Sequence, residues 1–265
     1  MKYIELVKGV FTADHEARAK QVDPYVAYSA EAGKLMFSIV PEENQIEYQL
    51  VDLGLPSGLK WADRNVGAET PQDNGLYFSW GNVDGHAVDE NGNTTDGYSF
   101  NSNKYDTTSG GLYKKSTLDA EHDAATVNLG EEWRMPTKAE IVELFQNTDH
   151  YYIGEDGSIV AGPFDYKTNS SDKGLDGSPL RSICFVKKDE TFDYNNRINF
   201  IEFPFTGSCS MSLVEFKGVS SFVWTSQHYE YDSSRSCSLG FYNSGLIHST
   251  NSPRVSGKSV RGVHA

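Results

Sequence analysis

The residues that could do acid–base or nucleophilic work in this chain are few and scattered. His122 stands beside Asp123, while His150 and His228 lie far from it in sequence and from each other. No Gly-x-Ser-x-Gly elbow accompanies them, and neither His-Glu-x-x-His nor Cys-x-x-Cys occurs. No glycine-rich phosphate loop follows a strand and opens a helix. A dyad would have to assemble across loops, so no catalytic residue and no cofactor is expected. The three cysteines, Cys184, Cys209 and Cys237, lack metal-ligand spacing. Cys184, inside "SICFV", reads as a small buried hydrophobe, and a Cys209–Cys237 bridge stays open beside free thiols. The loop "DGHAVDENGNTTDG" gathers Asp84, Asp89, Glu90, Asn91, Asn93 and Asp96, the hard oxygen donors calcium takes. Gly92 falls out of EF-hand order there and no closing Glu follows, so the expectation is a solvated loop and no metal.

A different chemistry is suggested by residues 231–257, "YDSSRSCSLGFYNSGLIHSTNSPRVSG". The segment has no Lys, Gln, Glu, Met or Trp. Ser, Tyr, Asn, Gly, His, Arg and Thr fill the positions between the apolar Leu239, Phe241 and Leu246. That palette suits recognition, because Tyr gives large contact area at low entropy cost while Ser, Gly and Asn adapt their hydrogen bonds. A plain serine-rich surface of strands and turns has the same composition, and composition alone leaves both readings open.

Such residues need a scaffold, and the chain is long enough for one. Its 265 residues, with 14 Phe, 15 Tyr and 4 Trp, can bury one sizeable core, or a main domain and a small one. A net charge of -14 argues against nucleic acid or an anionic membrane as partner. No apolar run reaches the roughly 18 residues of a membrane span. "MKYIELVKGVF", with Glu5 and Lys8 inside it, does not read as a signal peptide.

Residues 1–48 read as a small β unit, with "YVAYS" and "KLMFSIV" joined by a turn at "AEAG" and a boundary near 41–49. "VDLGLPSGLKWADRNVGA" suits a turn between two strands, and 81–116 is loop-rich. Thr137 followed by Glu140 predicts a capping box and a helix from Lys138, with Ile141, Leu144 and Phe145 on its buried face. A weaker helix is expected in "DAEHDAATVNLG", with Ala124 and Ala125 packing closely. After residue 150 only strands and turns are expected, at "RSICFVKK", "INFIEFPFTG", "FVWTS", "CSLGFYNSG" and "KSVRGV".

Five motifs occur in order: "VDLGLPSGLKWADRNVGAETPQDNGLYFSWG", "DAATVNLGEEWRMPTKAEIVELF", "FVWTS", "FYNSG" and "SVRGV". Together, over about residues 50–265, they resemble the Fibrobacter major paralogous domain, a C-type-lectin-like fold of gut Bacteroidetes and their phages. The closing segment is similar to the variable region of proteins diversified by retroelements, where miscopied adenines turn Asn-type codons into many others but never into Lys, Gln, Glu, Met or Trp.

The resemblance implies an α+β, C-type-lectin-like (formylglycine-generating-enzyme-like) domain at 49–265, with a variable region at about 225–257, preceded by a small β attachment or oligomerisation unit at 1–48. It implies Trp224, Leu239, Phe241, Gly245, Val260 and Arg261 as scaffold. It implies Tyr229, Tyr231, Cys237, Ser238, Gly240, Tyr242, Ile247, His248, Thr250, Ser252, Pro253 and Val255 as ligand-facing, and Arg235 is added as a source of a charge-assisted bond. The expected function is non-enzymatic binding of a bacterial cell-surface protein or glycan by a phage tail receptor-binding protein, a virion component made in the host cytoplasm and most simply a homotrimer. A cell-surface adhesin of a Bacteroides-like bacterium is the alternative. A formylglycine-generating enzyme would use paired cysteines near the C-terminus, and Cys209 and Cys237 lack that spacing.

Overall fold

The computed structural model describes residues 47–101, 116–165, 175, 179–245 and 247–264, the last group with backbone alone at 247–249, and the strand backbones at 2–5, 26–29 and 34–39. The chain divides into two units, 1–47 and 48–265. In the first, β1 (Lys2–Glu5), β2 (Val26–Ser29) and β3 (Lys34–Ile39) form an antiparallel sheet in the order β1-β3-β2. The β2–β3 register runs from Val26↔Phe37 to Ser29↔Lys34. The "AEAG" turn lies outside the described residues.

The second unit is mostly β-sheet, with two α-helices among the described residues. It opens with β4 (Leu50–Val51) and β5 (Lys60–Ala62), followed by the helices α1 (Ala124–Leu129) and α2 (Lys138–Gln146). Then come β6 (Thr148–Ile153), β7 (Ile159–Phe164), β8 (Ser182–Lys187) and β9 (Phe200–Pro204). The chain continues through β10 (Ser208–Ser210), β11 (Leu213–Glu215), β12 (Ser220–His228), β13 (Arg235–Tyr242), β14 (Ile247–Pro253) and β15 (Val263–His264). The sheet orders are β15-β5-β4, β7-β6-β8-β9, β10-β11 and β12-β13-β14. "KSVRGV" departs from its expected strand. Lys258 and Ser259 make single bridges to Phe78 and Val223, and only Val263–His264 pairs regularly, against Lys60–Trp61. The segment must cross between sheets, which a continuous strand could not do.

Both helix starts follow from side chains that satisfy free backbone N–H groups. Thr137 accepts from Glu140 N–H while the Glu140 carboxylate accepts from Thr137 N–H at 2.7 Å, the expected capping box. The α1 cap is Asp123, whose buried Oδ1 accepts from Ala125, Thr126 and Met135 N–H at 2.9–3.0 Å. The capping role takes Asp123 out of any pairing with His122, which instead faces Asp119.

Two apolar clusters frame the β12-β13-β14 sheet. Ile141, Leu144 and Phe145 of α2 belong to the larger one, with Val223, Leu239 and Phe241 from the sheet's inner face and Trp61, Phe185 and Phe203 from the other sheets. The second cluster holds Phe78, Trp80, Ala124, Ala125, Met135 and Val260 against Trp224, on the sheet's outer face. In the second cluster Trp224 Nε1 donates to Phe78 O (2.8 Å) and Trp80 Nε1 to Thr225 O (2.9 Å), and nearby Tyr77 OH donates to Thr206 O (2.6 Å). Trp61 Nε1 in the larger cluster is buried and meets no acceptor among the described residues. No helix of the described residues is long and apolar enough to cross a membrane.

Candidate functional site

The expected ligand-facing residues fall on β12, β13, β14 and the loop between β12 and β13. Residues opposite one another in an antiparallel ladder share a face. The register pairs Ser220 with Tyr242, Phe222 with Gly240, Trp224 with Ser238, and Ser238 in turn with Thr250. The outer face therefore carries Phe222, Trp224, Ser238, Gly240, Tyr242 and Thr250, while Val223, Leu239 and Phe241 point into the larger core. The expected scaffold residues Trp224, Leu239, Phe241, Val260 and Arg261 are all fully buried. Gly245 is buried too, at φ 86°, which a side chain would strain.

The outer face is only half open. Over its lower half lie Trp80 and the run from Arg254 to Val260: Arg254 sits 4.3 Å from the Trp80 ring and donates to Ser236 Oγ at 3.2 Å. Ser238 is consequently buried with its hydroxyl unpartnered, and Ser252 is buried as well. The expectation that these two face a ligand is corrected: strand alternation fixes their side of the sheet, but a second layer covers it. Gly240 is buried as well, flanked within the sheet by Phe222 of β12 and Thr250 of β14, each 3.2 Å from where its Cβ would stand.

The upper half stays accessible. Tyr242 is half-buried and meets Phe222 edge to face, ring centres 5.7 Å apart, with Thr250 half-buried beside them. Lys258 is buried beneath, its Nζ 4.1 Å from the Phe222 ring centre, 5.3 Å from that of Trp224 and 3.1 Å from Ser208 Oγ. Burial in this uncompensated position pulls the amine down to about 7. Neither Phe222 nor Lys258 was among the expected site residues. Phe222 was findable, because it precedes Trp224 by one strand period.

A second patch forms at the sheet's far end. Tyr231 is 79% exposed and Tyr229 half-buried, their rings edge to face at 5.4 Å. The intervening loop is held by Asp232, which accepts from Ser234 N–H and O–H (2.9 and 2.6 Å) and lies 3.4 Å from Arg235 Nε. Arg235 also donates to Asn251 Oδ1 at 3.2 Å. Beside Tyr229 a cleft of about 290 Å³ runs past His228, Gln227 and Lys138, with Cys237 in its wall. Cys237 is buried, its thiol donating to His228 O at 3.4 Å, and burial pushes it up from its ordinary value. It borders the cleft as packing and offers a ligand almost no surface. Pro253 is exposed and Val255 half-buried. Ile247 and His248 occupy β14 opposite Phe241 and Gly240, and their side chains lie outside the described residues.

The other candidates resolve into structural roles. Cys184, Cys209 and Cys237 are free and buried, so the Cys209–Cys237 bridge is not formed. His150 is fully buried, 3.3 Å from Thr148 Oγ1 and against the Phe185 ring. In the acidic loop, Asp89 caps Asn93 N–H (2.8 Å) and Asp96 holds His86 Nδ1 (2.6 Å) and Tyr98 N–H (2.9 Å). Among the described residues, the one trio of His, Cys, Asp or Glu whose ligand atoms lie within 4.8 Å of one another is Asp119, Glu121 and His122. Comparison with protein-family models, with curated proteins and with solved structures gives no match.

Proposed function

We propose that this chain is a non-enzymatic recognition protein whose binding surface is built on residues 222–255 of a C-type-lectin-like domain. The observation that carries the proposal is the split of β12–β14 into two kinds of position. Val223, Leu239 and Phe241 are wholly buried against α2, while Tyr229, Tyr231, Tyr242 and Thr250 are half-buried or exposed on the same strands and their connecting loop. Residues of the second kind can change identity without disturbing the core, as a surface diversified by a retroelement requires. The ligand in this reading is a bacterial surface protein or glycan, and the chain is a homotrimeric tail receptor-binding protein of a phage. A cell-surface adhesin would use the same face, and adjacent phage structural genes with a reverse transcriptase would decide for the tail protein.

Tyrosine supplies a rigid apolar body with a polar tip, the usual anchor of such surfaces. The triple variant Y229A/Y231A/Y242A is expected to lose binding to the target cell surface while its melting temperature falls by only a few degrees. F241A, which removes a fully buried ring, is expected to cost about 3–5 kcal/mol in urea denaturation. Undiminished cell binding by the triple variant would place the recognition surface elsewhere.

A further inference from the structure

We propose that the cleft between residues 72–74, 179–181 and 217–218 is a second binding site, and that it takes a carboxylate-bearing sugar anchored by Arg181. None of its residues lies in 222–255, so its fate in experiment is separate from that of the tyrosine surface.

The cleft has a volume of about 640 Å³, within the range of roughly 300–1,000 Å³ typical of ligand pockets. Its walls are preformed by backbone bonds. Leu180 N–H donates to Gly218 O at 2.9 Å, Gly218 N–H to Phe205 O at 2.8 Å and Arg181 N–H to Ile153 O at 3.0 Å. On the opposite side, Gln72 Nε2 donates to Tyr194 OH (3.0 Å) and Glu202 (3.3 Å). Fixed backbone on these sides lowers the ordering cost a ligand must meet.

Charge bookkeeping singles out Arg181. Glu202 is fully buried and is matched at 2.8 Å by Arg197, while Arg181 stands off at 3.5 Å. Arg181 otherwise gives only one nitrogen, Nη2, to Tyr194. Its Nε is buried with no acceptor, and among the described residues its Nη1 meets none. Nε has no surface to offer, so Nη1 is the donor left for a carboxylate, the group a guanidinium is best shaped to hold. Lys217, exposed at the rim, adds a second positive charge. Acids stand nearby: Asp73 is taken by Thr70 N–H and O–H at 2.7 and 2.8 Å, and Glu155 is an exposed turn residue. Asp156 in the same turn is held low by Ser158 O–H and N–H (2.7 and 2.9 Å) and, more weakly, by the Arg181 charge. Exposed Pro179 presents apolar surface to a sugar ring, buried Pro204 closes the floor, and half-buried Asn74 offers an amide to its hydroxyls.

The test is calorimetric titration of the full chain at low salt with sodium D-glucuronate, D-glucose and a short oligoglutamate peptide. Glucuronate is expected to bind, and glucose to bind at least about tenfold more weakly, the scale of a lost charge-assisted hydrogen bond. R181Q is expected to lose at least about tenfold in glucuronate affinity, K217Q about twofold to fivefold, and Y229A/Y231A/Y242A nothing. Should R181Q fail to fold, K217Q and the salt dependence decide, because Lys217 is exposed. Equal affinity for both sugars, unchanged binding by the folded variants, or no glucuronate binding at roughly 10 mM overturns the site. A peptide that binds as tightly as glucuronate overturns the sugar assignment.

Discussion

Arg254, Lys258 and Arg261, three cations of the C-terminal run, are buried, and they are not equivalent. Arg261 donates from Nε to Asn65 Oδ1 (3.0 Å), from Nη1 to Ala62 O (2.9 Å) and from Nη2 to Glu202 O (2.7 Å), with its Cζ 4.3 Å from the centre of the Phe203 ring. Even so, burial draws it down to about 9. Among the described residues Lys258 meets only Ser208 and two aromatic rings, so its charge is the poorest compensated of the three. An amine near 7 in the folded chain and about 10.4 in the unfolded one makes stability depend on pH. Above both values the amine is neutral in either state and costs nothing. Between them the unfolded chain binds a proton the folded chain does not, so stability falls as pH drops from about 10 to 7, then levels off. K258M removes this penalty and is expected to be more stable than the parent by roughly 1–3 kcal/mol at pH 7, with a smaller gain at pH 9. Chemical denaturation of both chains across that range checks it. The thiols and Tyr77, raised by burial, act oppositely at high pH but cancel in the difference between the two chains. A variant less stable than the parent at pH 7 would mean the amine keeps its proton and binds something there. Lys258 was not legible in the sequence, because lysine is among the residues least often buried and its cover comes from distant Phe78 and Ser208.

At the scale of elements, local signals were legible and layering was not. Thr137 and Glu140 sit close enough in sequence to define the α2 start by themselves. Glu140 shows how such a signal is reinforced. Burial pushes its carboxyl up, but the two-pronged pair with Arg134 (2.6 and 2.8 Å) and the Thr137 N–H outweigh it and hold it below the ordinary range. T137A is expected to cost about 1 kcal/mol. E140Q keeps the cap but gives up the charge to Arg134, an effect of about 0.5–1 kcal/mol. Since the carboxyl is depressed on folding, that contribution is present above about pH 4.3 and disappears as pH falls through the lower folded value. A stability gap between E140Q and parent at pH 7 that narrows as pH is lowered through the acid range, in thermal melts, is the expected outcome. The strand β13 marks the limit of such reasoning. Period two put Ser238, Gly240 and Tyr242 on one face correctly, yet Trp80 and Arg254 bury the lower end of that face, and no pattern within β13 announces them.

For the whole molecule, the question is what stabilises residues 1–47. Three strands of four, four and six residues make a small sheet, and chains of roughly 40 residues usually need a disulfide, a metal or an oligomeric partner. All three cysteines lie beyond residue 180, so no disulfide within the unit is available. In the sheet order β1-β3-β2, the outer strands β1 and β2 have no further strand beside them among the described residues, and such edges are what other chains pair with or cover. A modest recognition surface, for its part, gains from being displayed in several copies, because a tethered second contact raises avidity about 100- to 10,000-fold without new interactions. Both arguments favour assembly through residues 1–47 and are compatible with the trimer proposed above. Light scattering of the full chain is expected to give three times the 29.4 kDa chain mass, and residues 48–265 alone are expected to be monomeric with an unchanged melting transition. Cell binding by the shortened chain should then weaken by about 100-fold or more while its single-site affinity for the isolated target stays the same. A full chain that remains monomeric at micromolar concentration, or a shortened one that binds cells equally well, rules out assembly through this unit as the source of avidity.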